Sequence, residues 1–490
     1  MRRTLAVLAV LLMPFVAHAQ EHPTDIYAQP MVVFTHIELV DGTGRPAQHD
    51  VDVTVKDGRI VSVEPSKPVE KYFCTQSGPS RATDFETQQG VMQCVDALLI
   101  DGRGKTLLPG FVMMHEHMFY PTGKGNYTEM LATFPRLYLA GGTTTMRTAG
   151  SMNAYADLNL RDAINAGKAI GPDIDVTGPY INGPGMPILK MHVLKDATEA
   201  AQMVNYWSDL GVTSFKGYMQ LTRAELQAAV ATAHARGHKM TAHLCSVTYH
   251  EAIDAGIDNL EHGFFVASDF VKDKAPDLCP DRAVVMKSFV DLDPDGPQAK
   301  ALIKDLIDHH VALTSTLTVF ETSMPGRPEA PERALSVLIP EERAQYEATW
   351  KRIQAQTDSP QTIVYPKLAK MEKAFADAGG FLMAGTDPTG YGGVVPGFAG
   401  KREVELLVQD DGFSFEQAIR ISTLNGAIFE GLDKDRGTIE PGKRADLILI
   451  DGDPLKDPHA IEHMPLVFKN GKGYRTDVLI DQMKDQVGLD

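Results

Sequence analysis

Residues 111–117 read FVMMHEH, an apolar run that ends in His115-Glu116-His117. Such a run is a buried strand, and alternation along it sends the two histidines to the same side. Two imidazoles so placed suit one metal ion, although a surface histidine pair would look the same. Reading outward, the texture recurs in SFKGYM (214–219), KMTAHL (239–244), NLEHG (259–263) and FLMAGTD (381–387). Each is a short apolar run that carries one chemistry-capable side chain: Lys216, His243, His262 and Asp387. Amphipathic stretches such as RAELQAAVATAHARG (223–237) lie between runs and predict helices. Eight candidate strands follow: Phe111–His115, Thr144–Thr148, Ile174–Gly178, Ser214–Tyr218, Lys239–Leu244, Asn259–His262, Ala312–Thr316 and Phe381–Thr386. Strands alternating with helices predict an α/β fold, a (β/α)8 TIM barrel whose active site lies at the C-terminal strand ends.

Both flanks read differently. MVVFTHIELVDGTG (31–44) and DVDVTVKDGRIVSVEP (50–65) alternate apolar and polar residues between Asp-Gly turns, and RGTIEPGKRADLILIDGDP (436–454) with PLVFKNGKGY (465–474) repeats the pattern. These predict a small β-sandwich domain built from both chain ends, residues 20–108 (with an insert at 69–95) and 431–490, around a barrel at 109–430. The roughly 470 residues that follow the leader exceed the ~250 typical of one barrel, which fits this division.

The first residues, MRRTLAVLAVLLMPFVAHA, pair Arg2 and Arg3 with an apolar run and an Ala17-His18-Ala19 end. They read as a signal peptide over residues 1–19, too short and too interrupted by Pro14 to anchor the chain, so export to the periplasm or medium is expected. Losing two arginines and no acid takes the formal charge from -17 to -19, which argues against a nucleic-acid partner. In an oxidising compartment Cys74 and Cys94, bracketing the polar insert, are expected to pair, whereas no pairing is assigned to Cys245 or Cys279.

The strand ends carry the chemistry. A lysine inside an apolar strand, as at Lys216, must pair, shed its proton or be altered; a neutral amine can take up CO2 to give a carbamate that bridges two metals. His243 and His262 end consecutive strands, and Asp387 follows a Gly-Thr pair, where it either ligates metal or caps the next helix. Four histidines, a lysine and an aspartate at strand ends supply N and O ligands that zinc or a similar ion accepts.

Through PGFVMMHEH, GGTTTMR, the strand-four lysine, TAHL, EHG, GTD and the trailing RGTIEPGKRADLILID, the sequence resembles the amidohydrolase superfamily over nearly its whole length. The resemblance implies that His115, His117 and Asp387 hold one divalent ion and His243 and His262 a second, with a carbamate on Lys216 bridging them and zinc the favoured metal. It implies attack of a metal-bound hydroxide on an amide-type C–N bond, with Asp387 moving the proton to the leaving nitrogen. The pattern is closest to prolidase-like and imidazolonepropionase-like members, although Met114 stands where an Asp is common and Thr148 follows Arg147 where Asp is frequent.

The expected substrate is a small molecule, a dipeptide or N-acyl amino acid, whose carboxylate calls for a cation or hydroxyl nearby. Tyr218 and His192 are the candidates, each also readable as an ordinary barrel or surface residue. Loops GPYINGPGMP (178–187) and 264–280 lie on the active-site side. Two other readings stay open: a single-metal cyclic amidohydrolase or deaminase of the imidazolonepropionase type, and an inert exported binding protein on the same scaffold. Whether the chain forms a homo-oligomer is also open.

Overall fold

The computed structural model describes residues 26–67, 90–93, 97–186, 188 and 190–489. The leader at 1–19 and the Cys74–Cys94 pairing lie outside them. Eight parallel strands form the centre: β1 Phe111–Glu116, β2 Thr143–Thr148, β3 Asp173–Asp175, β4 Ser214–Gly217, β5 Lys239–Ala242, β6 Asn259–Glu261, β7 Ala312–Ser315 and β8 Leu382–Ala384. Each overlaps an expected strand; β3 and β8 are shorter than their apolar runs, because pairing stops before the run does. β1, β2 and β3 make one parallel sheet, and β4 to β8 a second in chain order. Parallel bridges Thr177–Ser214 and Ile181–Gly217 link the chain after β3 to β4. At the far edge the N–H groups of Thr386 and Asp387 both donate to the His115 carbonyl at 3.0 Å, tying the end of β8 to the end of β1.

Helices separate the strands, and several start where the sequence supplies a reciprocal cap. Thr222 with Glu225, Thr248 with Glu251, and Ser414 with Gln417 each satisfy two N-terminal N–H groups, worth ~1 kcal/mol per cap. Phe215, Met240, Leu260 and Leu313 are buried on successive strands within one large apolar cluster.

A separate sheet of ten strands draws on both chain ends. Leu447–Asp451 runs antiparallel to Lys105–Pro109, which in turn continues parallel to Met31–Leu39. Phe34, Ile37, Leu98, Leu447 and Phe468 give it a core of its own. An ion cluster joins the two units: Asp173 on β3 meets Arg436 and Arg444 at 2.6 Å and Lys469 at 2.7 Å.

Cys245 and Cys279, unassigned from the sequence, are disulfide-bonded with Cα atoms 4.8 Å apart. The 264–280 segment folds back over the end of β5, where Asp269 accepts the Tyr249 N–H at 2.9 Å and Lys274 donates to the Ser246 carbonyl, and this brings Cys279 to Cys245. No sequence pattern announces that return.

Candidate metal centre

Two parallel strands deliver the nucleus of the site. His115 and His117 leave β1 on one side, as alternation requires, and Asp387 follows β8, so that the ligand atoms of all three lie within 4.8 Å of one another. Asp387 Oδ1 stands 3.3 Å from His117 Nε2 and 3.8 Å from His115 Nε2, while Oδ2 is 3.8 Å from His262 Nε2. Lys216 Nζ lies 3.2 Å from His115 Nε2, and the His243 ring centroid is 4.5 Å from that of His262. The structure thus gathers all six expected ligands at the C-terminal ends of β1, β4, β5, β6 and β8.

Hydrogen bonds orient the rings. His115 Nδ1 donates to Glu261 Oε2 at 2.8 Å and His117 Nδ1 to the Gly150 carbonyl at 3.1 Å, while His262 Nδ1 meets Thr316 Oγ1 at 2.8 Å. For His115 and His117 this leaves Nε2 facing Asp387 with a lone pair to offer, as metal-binding imidazoles are held. His262 Nε2 is buried with no hydrogen-bond partner, which is costly unless something further coordinates it. Backbone strain sits at the same place: His262 (φ 69°) and Asp387 (φ 53°) both adopt the left-handed conformation, at ~1–3 kcal/mol each.

Electrostatics favour a cation. Burial pushes His117 down to about 4 and His243 to about 3, and lowers His115 and His262 as well, so the imidazoles are neutral donors at neutral pH. Burial also pulls Lys216 down to about 8, against the opposing carboxylates of Glu261 and Asp387. Burial alone would raise Asp387, but His115, His117 and His262 override it and hold the carboxyl well below its usual range. Neutral imidazoles, an ionised carboxylate and an unpartnered buried nitrogen fit a divalent metal ion.

Beneath the ligands runs a network that the sequence did not reveal. Arg147, almost wholly buried, donates to Glu261 Oε1 (3.1 Å), Thr241 Oγ1 (2.9 Å), Ser214 Oγ (3.1 Å) and the Met114 carbonyl (3.3 Å). Glu261 precedes His262 in NLEHG and Arg147 stands at the end of GGTTTMR, so both lie in motifs read from the sequence, but no pattern in it named either as a partner of the other.

The cavity over the site is lined by Phe119, Tyr127, Tyr180, Tyr218, Met152 and Ile188 besides the ligand residues. Tyr218 is therefore where it was expected. Its ring lies 4.7 Å from Tyr180, whose hydroxyl is 3.5 Å from His117 Nε2. His192 is not in this cavity: it pairs with Glu199 at 3.3 Å in a neighbouring pocket, because the loop after β3 carries it outward.

Such a site on parallel strand ends, with an imidazole-rich metal nest, defines a metal-dependent hydrolase class. Residues 106–476 match the Amidohydrolase family, and the chain belongs to that family of hydrolases. Among solved structures it is similar to a putative prolidase from Bifidobacterium longum (24% identity, TM-score 0.60, covering 92% of this chain and 98% of that one). It is also similar to a Xaa-Pro dipeptidase with bound methionine in the active site (20% identity, TM-score 0.62, covering 91% and 100%). At those identities the likeness is one of fold. A 53-residue stretch is 45% identical to imidazolonepropionase of Picrophilus torridus, spanning 11% of this chain and 14% of that relative. No described helix is long and apolar enough to cross a membrane.

Proposed function

We propose that the protein is an exported binuclear amidohydrolase that cleaves the amide C–N bond of a dipeptide or N-acyl amino acid on a closed (β/α)8 barrel. The β8-to-β1 hydrogen bonds at His115 support closure. The observation that carries the reading is Lys216: its buried amine, 3.2 Å from His115 Nε2 and drawn down to about 8 by burial, stands beside both the His115–His117–Asp387 nest and the His243–His262 pair. A carbamate there would give the two halves a shared anionic ligand. The prolidase-like fold neighbours supply the substrate class by analogy. The Cys245–Cys279 disulfide supports an oxidising compartment, and thus export.

His115, His117, Asp387, His243, His262 and carboxylated Lys216 would hold the two divalent ions, zinc being favoured. Bound there, such ions supply a water of lowered pKa and polarise the scissile carbonyl. The chain's own groups do the rest. Asp387, ionised and steadied by the Thr389 hydroxyl at 2.8 Å, accepts the nucleophile's proton and returns it to the leaving nitrogen. Phe119, stacked on His117 with centroids 4.5 Å apart, and the three tyrosines narrow the cavity and exclude bulk water.

A single-metal centre is the second reading, favoured by the fact that, among the described residues, the ligand atoms of His115, His117 and Asp387 all lie within 4.8 Å of one another, and by the imidazolonepropionase-like stretch. Counting metal per chain by elemental mass spectrometry, with zinc and bicarbonate supplied, separates the two. Two ions in the parent and a loss in Lys216→Ala support the binuclear site; one ion in both overturns it.

A further inference from the structure

Beside the metal cavity lies a pocket of about 400 Å³, within the range of small-molecule sites. Met152 and Tyr180 line both spaces, so the pocket adjoins the place where the scissile bond would sit. We propose that it receives the leaving-amine residue of the substrate, an amino acid with an aromatic or thioether side chain and a free carboxylate. This rests on the hydrolytic reading above and narrows its substrate class.

The lining is suited to such a side chain. Met203 and Trp207 are four residues apart on the helix Ala197–Asp209 and so share a face, with Met152 and Met191 completing a polarisable wall. The indole is braced by its neighbours: the Tyr155 ring centroid is 4.7 Å away and that of Tyr206 5.3 Å, and the two tyrosine hydroxyls hydrogen-bond each other. A braced indole gives contact area at little entropic cost.

The charges suit a carboxylate. His192 and Glu199 engage each other at 3.3 Å, and Glu199 also accepts the Lys195 N–H at 2.7 Å, so neither is free for a ligand. Lys190, exposed at the rim, has no hydrogen-bond or ion-pair partner among the described residues. Among the described residues lining the metal cavity there is no arginine, and the lysine there is occupied by His115. A substrate carboxylate therefore finds its free cation at Lys190.

The chain has two tryptophans, so Trp350→Phe leaves Trp207 as sole reporter. The metal-loaded variant is titrated with ketomethylene analogues of N-acetyl-phenylalanine, N-acetyl-glycine and N-acetyl-phenylalanine amide, in which carbon replaces the scissile nitrogen. Expected is a saturable change in Trp207 emission with the phenylalanine acid, and binding at least about tenfold weaker for the other two. Lys190→Gln should erase the preference for acid over amide. In parallel, Trp207→Ala should raise KM for N-acetyl-phenylalanine about tenfold and KM for N-acetyl-glycine by much less. Hydrolysis of both substrates with Trp207 emission unmoved and Trp207→Ala without selective effect overturns the pocket and spares the hydrolytic reading. If nothing is hydrolysed, that reading falls, and the titration alone decides the pocket: no saturable preference for the phenylalanine acid overturns it.

Discussion

Glu261 holds His115 with one carboxylate oxygen, at 2.8 Å, and Arg147 with the other, at 3.1 Å. Both residues are almost wholly buried, so neither charge has water to fall back on. Burial by itself would raise the Glu261 carboxyl, but His115, Lys216 and Arg147 override it and keep it ionised, so it fixes the His115 tautomer with Nε2 toward Asp387. Glu261→Gln keeps the shape and removes the charge. Metal affinity, measured by competition with a chromogenic chelator, should fall about 10–100-fold while secondary structure is retained. Unchanged affinity would mean that His115 is not oriented by this carboxylate.

Gly385 lies against His115: a β-carbon there would stand 2.6 Å from the His115 backbone nitrogen and 2.3 Å from its Cβ. Backbone on a strand cannot give way as a side-chain tip can. Gly385→Ala should therefore cost about 1–3 kcal/mol of stability and also lower metal content. Gly237→Ala serves as comparison, since it has φ +76° but nothing within 4 Å. Its cost should come from backbone conformation alone, with metal content at the parent level. Equal metal loss in both would refute the His115 explanation.

The strands, the clustering of the candidate ligands and the two-ended sheet were legible because each rests on local pattern. An apolar run ending in a polar side chain names itself, and HEH, AHL, EHG and GTD place one ligand group per strand end. What stayed hidden depends on contacts between distant segments. Arg147 and Glu261 are 114 residues apart, and nothing in either motif tells which buried acid meets which buried base. His192 shows the same limit: its position after β3 was right, but the loop's direction, which sends it to Glu199 and away from the metals, is not written in composition.

The Cys245–Cys279 bond closes a 34-residue span that begins two residues after His243. Cross-linking removes conformations from the unfolded chain, typically worth ~2–4 kcal/mol. The double variant Cys245→Ser/Cys279→Ser should lose about that much in chemical denaturation, and limited proteolysis should cut first within 264–280. A parent that melts identically with and without reductant, with complete reduction verified by mass spectrometry, would exclude this contribution.

Asp173 is where acid should first loosen the junction between the central parallel strands and the outer sheet. Burial would raise its carboxyl, but Lys469, Arg444 and Arg436 outweigh burial and hold it well below the usual carboxylate range. A carboxyl depressed in the folded state contributes stability above its unfolded value, near 3.8, and that contribution is lost as pH falls through the folded value. Removing the anion takes a shared partner from three part-buried cations, of which Arg436 keeps Asp435 and Arg444 keeps Asp446, so Asp173→Asn should cost about 3 kcal/mol at pH 7, the low end for a broken buried pair. Urea denaturation from pH 7 to pH 2 should show the gap between parent and variant constant down to about pH 4 and narrowing below it. A gap that stays constant to pH 2 would assign the loss to altered packing, whereas no gap at pH 7 would show that the cluster contributes nothing to holding the two units together.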